Sequence, residues 1–189
     1  MVVLSFDQKR LLAAFECFVG KKYETPYTLG GNNTSMHVEA QKMCYLLKLI
    51  GIEIGDFNYS WNDRGPFSPG LLVLLRSIDS CREEVELFYN DSEEKEKYIK
   101  NVKSEIEDLR KRLDMSENFC NSEQWIEILG SLAYLARTVL PGAGFEYVSS
   151  YLKKRKKNLY TCKPEYYNDE KNKKAWELLT AAGLIEQIA

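Results

Sequence analysis

The chain has little of the chemistry on which most catalytic sites depend. Among its 189 residues there is one histidine, His37, and the five cysteines are scattered, odd in number and free of any Cys-x-x-Cys pair. Neither a disulfide framework nor a cysteine–histidine zinc site is therefore predicted. A single histidine also disfavours Ser-His-Asp or Cys-His catalysis, so a structural or capping role is predicted for His37.

A large net charge and long apolar runs are also lacking. The formal net charge is -2, which provides no global field to attract nucleic acid or a membrane. No apolar segment approaches the roughly 20 residues that a membrane-spanning helix needs, and the first residues do not resemble a signal peptide. These features favour a reduced, cytoplasmic globular protein, and no cofactor or metal is predicted.

Helical periodicity is what the sequence does contain. Apolar residues recur at intervals of three and four along six segments, at 5–19, 35–50, 69–79, 122–140, 144–157 and 170–182. Between residues 57 and 62 the period changes to two, with Phe57, Tyr59 and Trp61 on one face, which predicts a short strand. We therefore predict a single domain over residues 1–189 that is mainly α with a small β element.

The stretch "RGPFSP", residues 64–69, joins that strand to the next helix. Pro66 favours an extended or turn conformation at Gly65, Ser68 is a good N-cap, and Pro69 suits the first helical position. Because backbone geometry alone accounts for these residue types, the turn is predicted to build a shape and not to carry out chemistry.

Residues 80–121 form a charged segment that differs from the rest of the chain. From residue 79 to residue 117 there are 13 acidic and 8 basic residues. Within 92–114, apolar residues recur at spacings of three and four, typical of a narrow coiled-coil-like seam. The seam consists of Ile99, Val102, Ile106, Leu109 and Leu113. Two heptads are too short for a free coiled coil, so we predict a protruding helical arm that docks on the body or on a partner.

Two segments have features of phosphate contacts. The loop "TLGGNNTS", residues 28–35, lacks the Lys-Ser/Thr ending of a P-loop, and we interpret it as a capped loop. A basic run with tyrosines around it can follow a phosphate backbone, although cations at a helix C-terminus also suit the helix dipole. The run comprises Lys153, Lys154, Arg155, Lys156 and Lys157.

Four segments, in this order along residues 36–185, resemble a known family. They are "QKMCYLLKLIG", "FNYSWNDRGPFSPGL", "WIEILGSLAYL" and "KPEYYNDEKNKKAWELLTAAGLI". They resemble the prokaryotic YwgA-like proteins and, more distantly, the Panacea (SocA-like) antitoxin domain. Arg64 and Phe67 depart from that pattern, because tyrosine is frequent at the first position and usual at the second.

The resemblance implies a winged-helix-like helical domain, of a kind often encoded near toxin–antitoxin or phage-defence genes. Panacea-like domains neutralise toxins by binding them, and the resemblance carries over no catalytic residue. Our leading hypothesis is a non-enzymatic regulatory binding protein that contacts a protein partner, such as a toxin or defence component. The contact would use the arm, the 21–34 loop and the surface around Arg64 and Phe67.

Two other hypotheses stay open. The first is a winged-helix nucleic-acid-binding protein that contacts phosphates through Lys42, Lys48 and the basic run, with Arg76 as the only basic residue of the recognition helix at 69–79. The second and least favoured is an enzyme with a carboxylate site. Its candidate residues are Asp56, Asp63 and Asp79. No membrane partner is predicted, and homo-oligomerisation stays open.

Overall fold

The structure is a computed structural model that describes residues 3–28, 31, 33–115, 122–157 and 167–186. In these residues the α-helices are α1 (Phe6–Val19), α2 (Thr34–Leu49), α3 (Pro69–Asp79), α4 (Arg82–Asn90), α5 (Ser92–Ile99), α6 (Lys103–Arg112), α7 (Ser122–Tyr134), α8 (Phe145–Lys157) and α9 (Asp169–Ala181), and a π-helical turn (Leu135–Val139) continues α7. Strands β1 (Ser60–Asn62) and β2 (Gly65–Phe67) form an antiparallel hairpin. This architecture confirms the predicted mainly α fold with a small β element.

Helices α2 and α7 form the centre of the molecule and pack extensively on each other. Their apolar faces are fully buried, as the periodicity of each helix predicts. The contributing side chains include Ala40, Met43, Leu46 and Leu47 of α2 and Ile128, Leu129 and Leu132 of α7. Within the described residues, the buried apolar side chains from Leu4 to Ile185, with the exception of Val38, belong to one contiguous core cluster. Each fully buried large aliphatic side chain contributes about 1.5–3 kcal/mol to folding.

The starts of α1 and α3 follow the sequence signals, whereas the start of α2 does not. Ser5 forms a capping box with Gln8 at the start of α1, and the Ser68 hydroxyl accepts from the Leu71 N–H at the start of α3. At α2 the N-cap is Asn33, so the helix begins at Thr34, one residue before the predicted segment 35–50. The Ser35 hydroxyl instead donates to Glu123 Oε2 of α7 at 2.7 Å, so this residue links two helices.

The aromatic segment before the hairpin has the predicted period of two. Phe57, Tyr59 and Trp61 are half-buried against the core, while the residues between them are exposed. The ladder itself covers three residue pairs, in which Trp61 lies opposite Pro66. Proline has no N–H to donate to a ladder, which keeps this sheet short. The "RGPFSP" stretch therefore contains the second strand of a hairpin as well as the start of α3.

The charged segment docks on the body, which is one of the two predicted alternatives, but it does not form one continuous protruding helix. It contains α4, which sequence analysis did not assign, and the predicted helix over 92–114 is interrupted between α5 and α6. Val102, at φ -129°, leaves the helical region at this break. Both α5 and α6 pack on α1, so the two short helices lie along the body. Two ion pairs support this contact, Lys9 with Glu94 at 2.8 Å and Lys95 with Glu16 at 2.9 Å.

The apolar seam is part of the protein's own core. Ile99 is 6% exposed and both Ile106 and Leu109 are 0% exposed, whereas Val102 is half-buried against the same cluster. These four residues were predicted as partner contacts. Because three of them are buried in the core cluster and the fourth packs against it, the structure assigns them to core packing.

Two further absences apply to the described residues. None of their helices is long and apolar enough to cross a membrane. Across the same ranges there is no group of three or more His, Cys, Asp or Glu side chains placed to hold a metal ion.

The core position of the seam predicts the effect of truncating it. Ile106→Ala is expected to lower the free energy of unfolding by about 2–5 kcal/mol, because it removes buried methyl groups and leaves a cavity. Val102→Ala serves as the control and is expected to cost less, since Val102 is only half-buried. Urea unfolding followed by circular dichroism measures both. An Ile106→Ala protein with unchanged stability would contradict the packing of α6 on α1.

Candidate functional site

Two adjacent polar residues of α2 hold the backbone of the hairpin and the start of α3. Gln41 Nε2 donates to the Ser68 carbonyl at 2.9 Å, and Gln41 Oε1 accepts from the Ser68 N–H at 2.8 Å. Lys42 Nζ donates to the Pro66 carbonyl at 2.8 Å. Gln41, Lys42 and Ser68 are all buried, so these bonds satisfy groups that have no access to water. We call Gln41 and Lys42 the hairpin clamp.

Two glycines leave the space that the hairpin and the Lys42 side chain need to pack against α7. Gly65 has φ +91°, and a Cβ there would lie 2.3 Å from Ser131 Oγ of α7. A Cβ on Gly130 would come within 3.1 Å of the aliphatic stem of Lys42. The left-handed conformation and the close approach both require glycine at position 65. The hairpin and the Lys42 side chain therefore lie directly against α7.

The tip of the hairpin is held from the other side by α8. Lys156 Nζ donates to the Asp63 carbonyl at 2.7 Å and pairs with Glu127 of α7 at 2.6 Å. The Tyr167 hydroxyl donates to the same carboxylate oxygen of Glu127. Lys156 is 1% exposed, so it supports the hairpin and is not available to nucleic acid, contrary to its predicted role.

The rest of the basic run is only partly available to a phosphate backbone. Lys153 pairs with Asp169 at 2.5 Å, and the Arg155 guanidinium donates to the Tyr151 hydroxyl at 2.7 Å. Lys154 is exposed, and the side chain of Lys157 lies outside the described residues. The nucleic-acid hypothesis requires the positive charges of the run to be exposed together, and they are not.

The two other lysines of that hypothesis also have structural roles. Lys42 is buried in the hairpin clamp, and Lys48 Nζ donates to the Phe57 carbonyl at 2.9 Å. Both hold the segment that leads into and through the hairpin. Neither is placed to contact a phosphate backbone.

The structure does bring Arg64 and Phe67 together, at the outer edge of the hairpin. They line a depression of about 260 Å³ whose other walls come from α2 and α3. We call it the hairpin groove and define it by His37, Val38, Arg64, Phe67, Leu72 and Arg76. Arg64 Nη1 pairs with Glu123 Oε1 at 2.8 Å, which fixes the direction of its side chain. Phe67 and Leu72 are half-buried and lie outside the contiguous core cluster of the described residues.

A second depression, of about 650 Å³, lies beside the hairpin groove and shares His37 and Arg76 with it. We call it the polar cleft, and Asp79 lies in its wall. Asp79 accepts hydrogen bonds from the Tyr23 hydroxyl at 2.9 Å and from Asn33 Nδ2 at 3.2 Å, and its Oδ2 lies 2.7 Å from His37 Nε2. Burial acts to raise the pKa of Asp79, but the hydrogen bonds from His37, Asn33 and Tyr23 together hold it below its ordinary value.

These contacts clarify the role of His37 and the carboxylates. His37 orients Asp79 and is not a helix cap, since the N-cap of α2 is Asn33. Asp56 and Asp63 are exposed and do not join Asp79 in a carboxylate cluster. Part of the "TLGGNNTS" loop, at residues 29, 30 and 32, lies outside the described residues. Its first residue, Thr28, lines the polar cleft.

Sequence reasoning missed both the clamp and the His37–Asp79 contact. The signal for the clamp was present, because Gln41 and Lys42 interrupt the apolar face of α2 at positions where a buried polar group needs a partner. The His37–Asp79 contact joins residues 42 positions apart in the chain, so no local sequence pattern predicts it.

Burial changes the protonation of Lys42. Removal from water lowers its pKa from 10.5 to about 7, the charge of Glu127 opposes this effect, and Lys156 and Arg64 add to it. The unfolded chain keeps Lys42 protonated up to its ordinary pKa, whereas the folded chain releases the proton above about pH 7. Between these pH values the unfolded state binds more protons, so this group makes stability rise with pH.

Replacing Lys42 by methionine is expected to remove that dependence. From about pH 7 to pH 9 the stability of the original protein should rise relative to Lys42→Met, with a slope of at most about 1.4 kcal/mol per pH unit. Urea unfolding at several pH values measures the difference. Lys154→Met, at an exposed lysine, is the control and should leave the pH profile unchanged. A constant difference between Lys42→Met and the original protein would contradict the burial of a titrating amine.

Comparison with known proteins does not assign the chain to a family. No family model, no curated protein and no solved structure matches the chain. The winged-helix likeness and the YwgA-like resemblance therefore gain no support from these comparisons.

Proposed function

We propose that the protein is a non-enzymatic regulatory binding protein that contacts a protein partner through the hairpin groove. The observation that carries the proposal is a pair of half-buried apolar side chains, Phe67 and Leu72, that lie outside the core on a backbone held by buried hydrogen bonds. The arm seam is not part of this surface, because it belongs to the core packing.

The rigidity of the groove favours binding. Phe67 belongs to β2 and Leu72 to α3, and the clamp residue Gln41 holds Ser68 between them. Association costs free energy when side chains or loops must become ordered, and a surface that is already fixed avoids part of that cost. Aromatic side chains and arginines are also frequent among the residues that dominate protein–protein interfaces.

The groove indicates the chemistry of its partner. Its apolar floor, at Val38, Phe67 and Leu72, suits one apolar side chain of the partner. Arg64 and Arg76 at its edge suit acidic groups beside that side chain, since guanidinium groups bind carboxylates in a bidentate manner. Arg64 already pairs with Glu123, so a partner carboxylate must either share or replace that contact. We infer an acidic segment with one apolar anchor.

The biological setting that we propose is a toxin–antitoxin or phage-defence system. This part of the proposal rests on the resemblance to YwgA-like and Panacea-like proteins. Arg64 and Phe67, the two departures from that family pattern, both line the hairpin groove. Substitution at these positions is a direct way to give one member of such a family a partner of its own.

Phe67→Ser tests the groove. Affinity purification from the native host, followed by mass spectrometry, is expected to recover a partner with the original protein and to lose it with Phe67→Ser. Removing a central aromatic contact typically costs about 2 kcal/mol or more of binding free energy. Tyr147→Ser, at an aromatic residue that is 63% exposed on α8, is the matched control and should retain the partner. If Phe67→Ser retains every partner, the groove is not the contact surface.

The alternative function, a winged-helix nucleic-acid-binding protein, requires a steep dependence on salt. Gel shifts with random duplex and single-stranded DNA over a range of salt concentrations measure it. Because Lys156 is buried and Lys153 is paired, we expect no shift that depends on this run. A shift at low salt that Lys154→Gln with Arg155→Gln weakens would support the alternative and contradict our expectation.

A further inference from the structure

The polar cleft has hydrogen-bond donors of its own in addition to His37 and Arg76, which it shares with the hairpin groove. Its volume of about 650 Å³ lies within the range of small-molecule sites in proteins. Asn33, Ser80 and Arg82 line it together with His37 and Arg76. Amide, hydroxyl, imidazole and guanidinium groups can all donate hydrogen bonds, so this lining suits a ligand rich in oxygen acceptors.

The balance of charge in the cleft favours an anionic ligand. Asp79 is the carboxylate in the wall, and hydrogen bonds from Tyr23 and Asn33 and the contact with His37 already occupy its oxygens. Arg82 pairs with Glu86 at 3.0 Å, which balances its charge. Arg76 is exposed, and no ion pair within the described ranges neutralises it. A guanidinium of this kind is a preferred protein group for phosphate.

An aromatic side chain also lines the cleft. Tyr27 is 85% exposed, and the guanidinium carbon of Arg82 lies 4.4 Å from the centre of its ring. This cation–π contact occupies one face of the ring, so the other face can stack on a planar group. Exposed aromatic rings that are fixed in this way stack on nucleobases. The cleft thus combines an unpaired guanidinium with a stacking surface.

We propose that the polar cleft binds a mononucleotide, with its phosphate on Arg76 and its base on Tyr27. His37, whose ring contacts Asp79, lines the same cleft and can supply a further polar contact. This proposal does not depend on the hairpin groove having a protein partner. The two sites share His37 and Arg76. Tyr27, by contrast, lines the polar cleft and not the hairpin groove.

Isothermal titration calorimetry with AMP, GMP, CMP and UMP tests the proposal. Inorganic phosphate serves as the probe of the phosphate contact and adenosine as the probe of the base contact. At least one mononucleotide should bind more tightly than either half alone. Arg76→Gln and Tyr27→Ala should each weaken that binding by about tenfold, the equivalent of one charge-assisted hydrogen bond or one stacked base. Arg155→Gln, which changes an exposed arginine on α8, is the matched control and should leave the affinity unchanged.

Three outcomes would overturn the proposal. The first is the absence of mononucleotide binding at millimolar concentration. The second is binding of phosphate alone as tight as that of any mononucleotide, which would remove the role of Tyr27. The third is an affinity that Arg76→Gln leaves unchanged while circular dichroism shows the variant to be folded. Because both substituted side chains are exposed, loss of folding is not expected to obscure the result.

Discussion

The contact between the hairpin clamp and the backbone of residues 66–68 is the constraint on which the rest of the surface depends. Gln41 and Lys42 are polar residues inside a buried helix face, and their cost of burial is offset only if each finds a partner. Main-chain groups of the hairpin and of the α3 N-terminus provide those partners. One set of hydrogen bonds therefore satisfies the core and fixes the position of the exposed elements.

The clamp also explains why four distant segments of the chain depend on one another. Lys42 passes over Gly130, Gly65 lies against Ser131, and Lys156 joins the hairpin tip to Glu127. Helices α2, α7 and α8 thus meet at the hairpin. Because these contacts join main-chain and side-chain groups of all four segments, a change in any one of them is transmitted to the hairpin.

Much of the fold could be predicted from the sequence, whereas little of the site could. Periodicity and capping residues place α1, α2, α3, α7, α8 and α9 within a few residues, because these signals are local. The seam was recognised as apolar, but its regular spacing does not reveal the break at Val102 or the packing of α5 and α6 on α1. The partners of Lys42, Lys156 and His37 are distant in sequence. The charge pattern alone therefore predicted the two lysines as surface cations, and nothing in it predicted the contact of His37.

Gly65 has a consequence for how such a surface can diversify. Its left-handed conformation and its contact with Ser131 fix position 65, and the clamp fixes the main chain at positions 66 and 68. At position 67, on the other hand, only the backbone takes part in the ladder, and the half-buried side chain lines the hairpin groove. The residues that fix the hairpin and the side chain that lines the groove are thus different residues of the same strand. A change of that side chain needs to break none of the main-chain hydrogen bonds of the ladder or of the clamp.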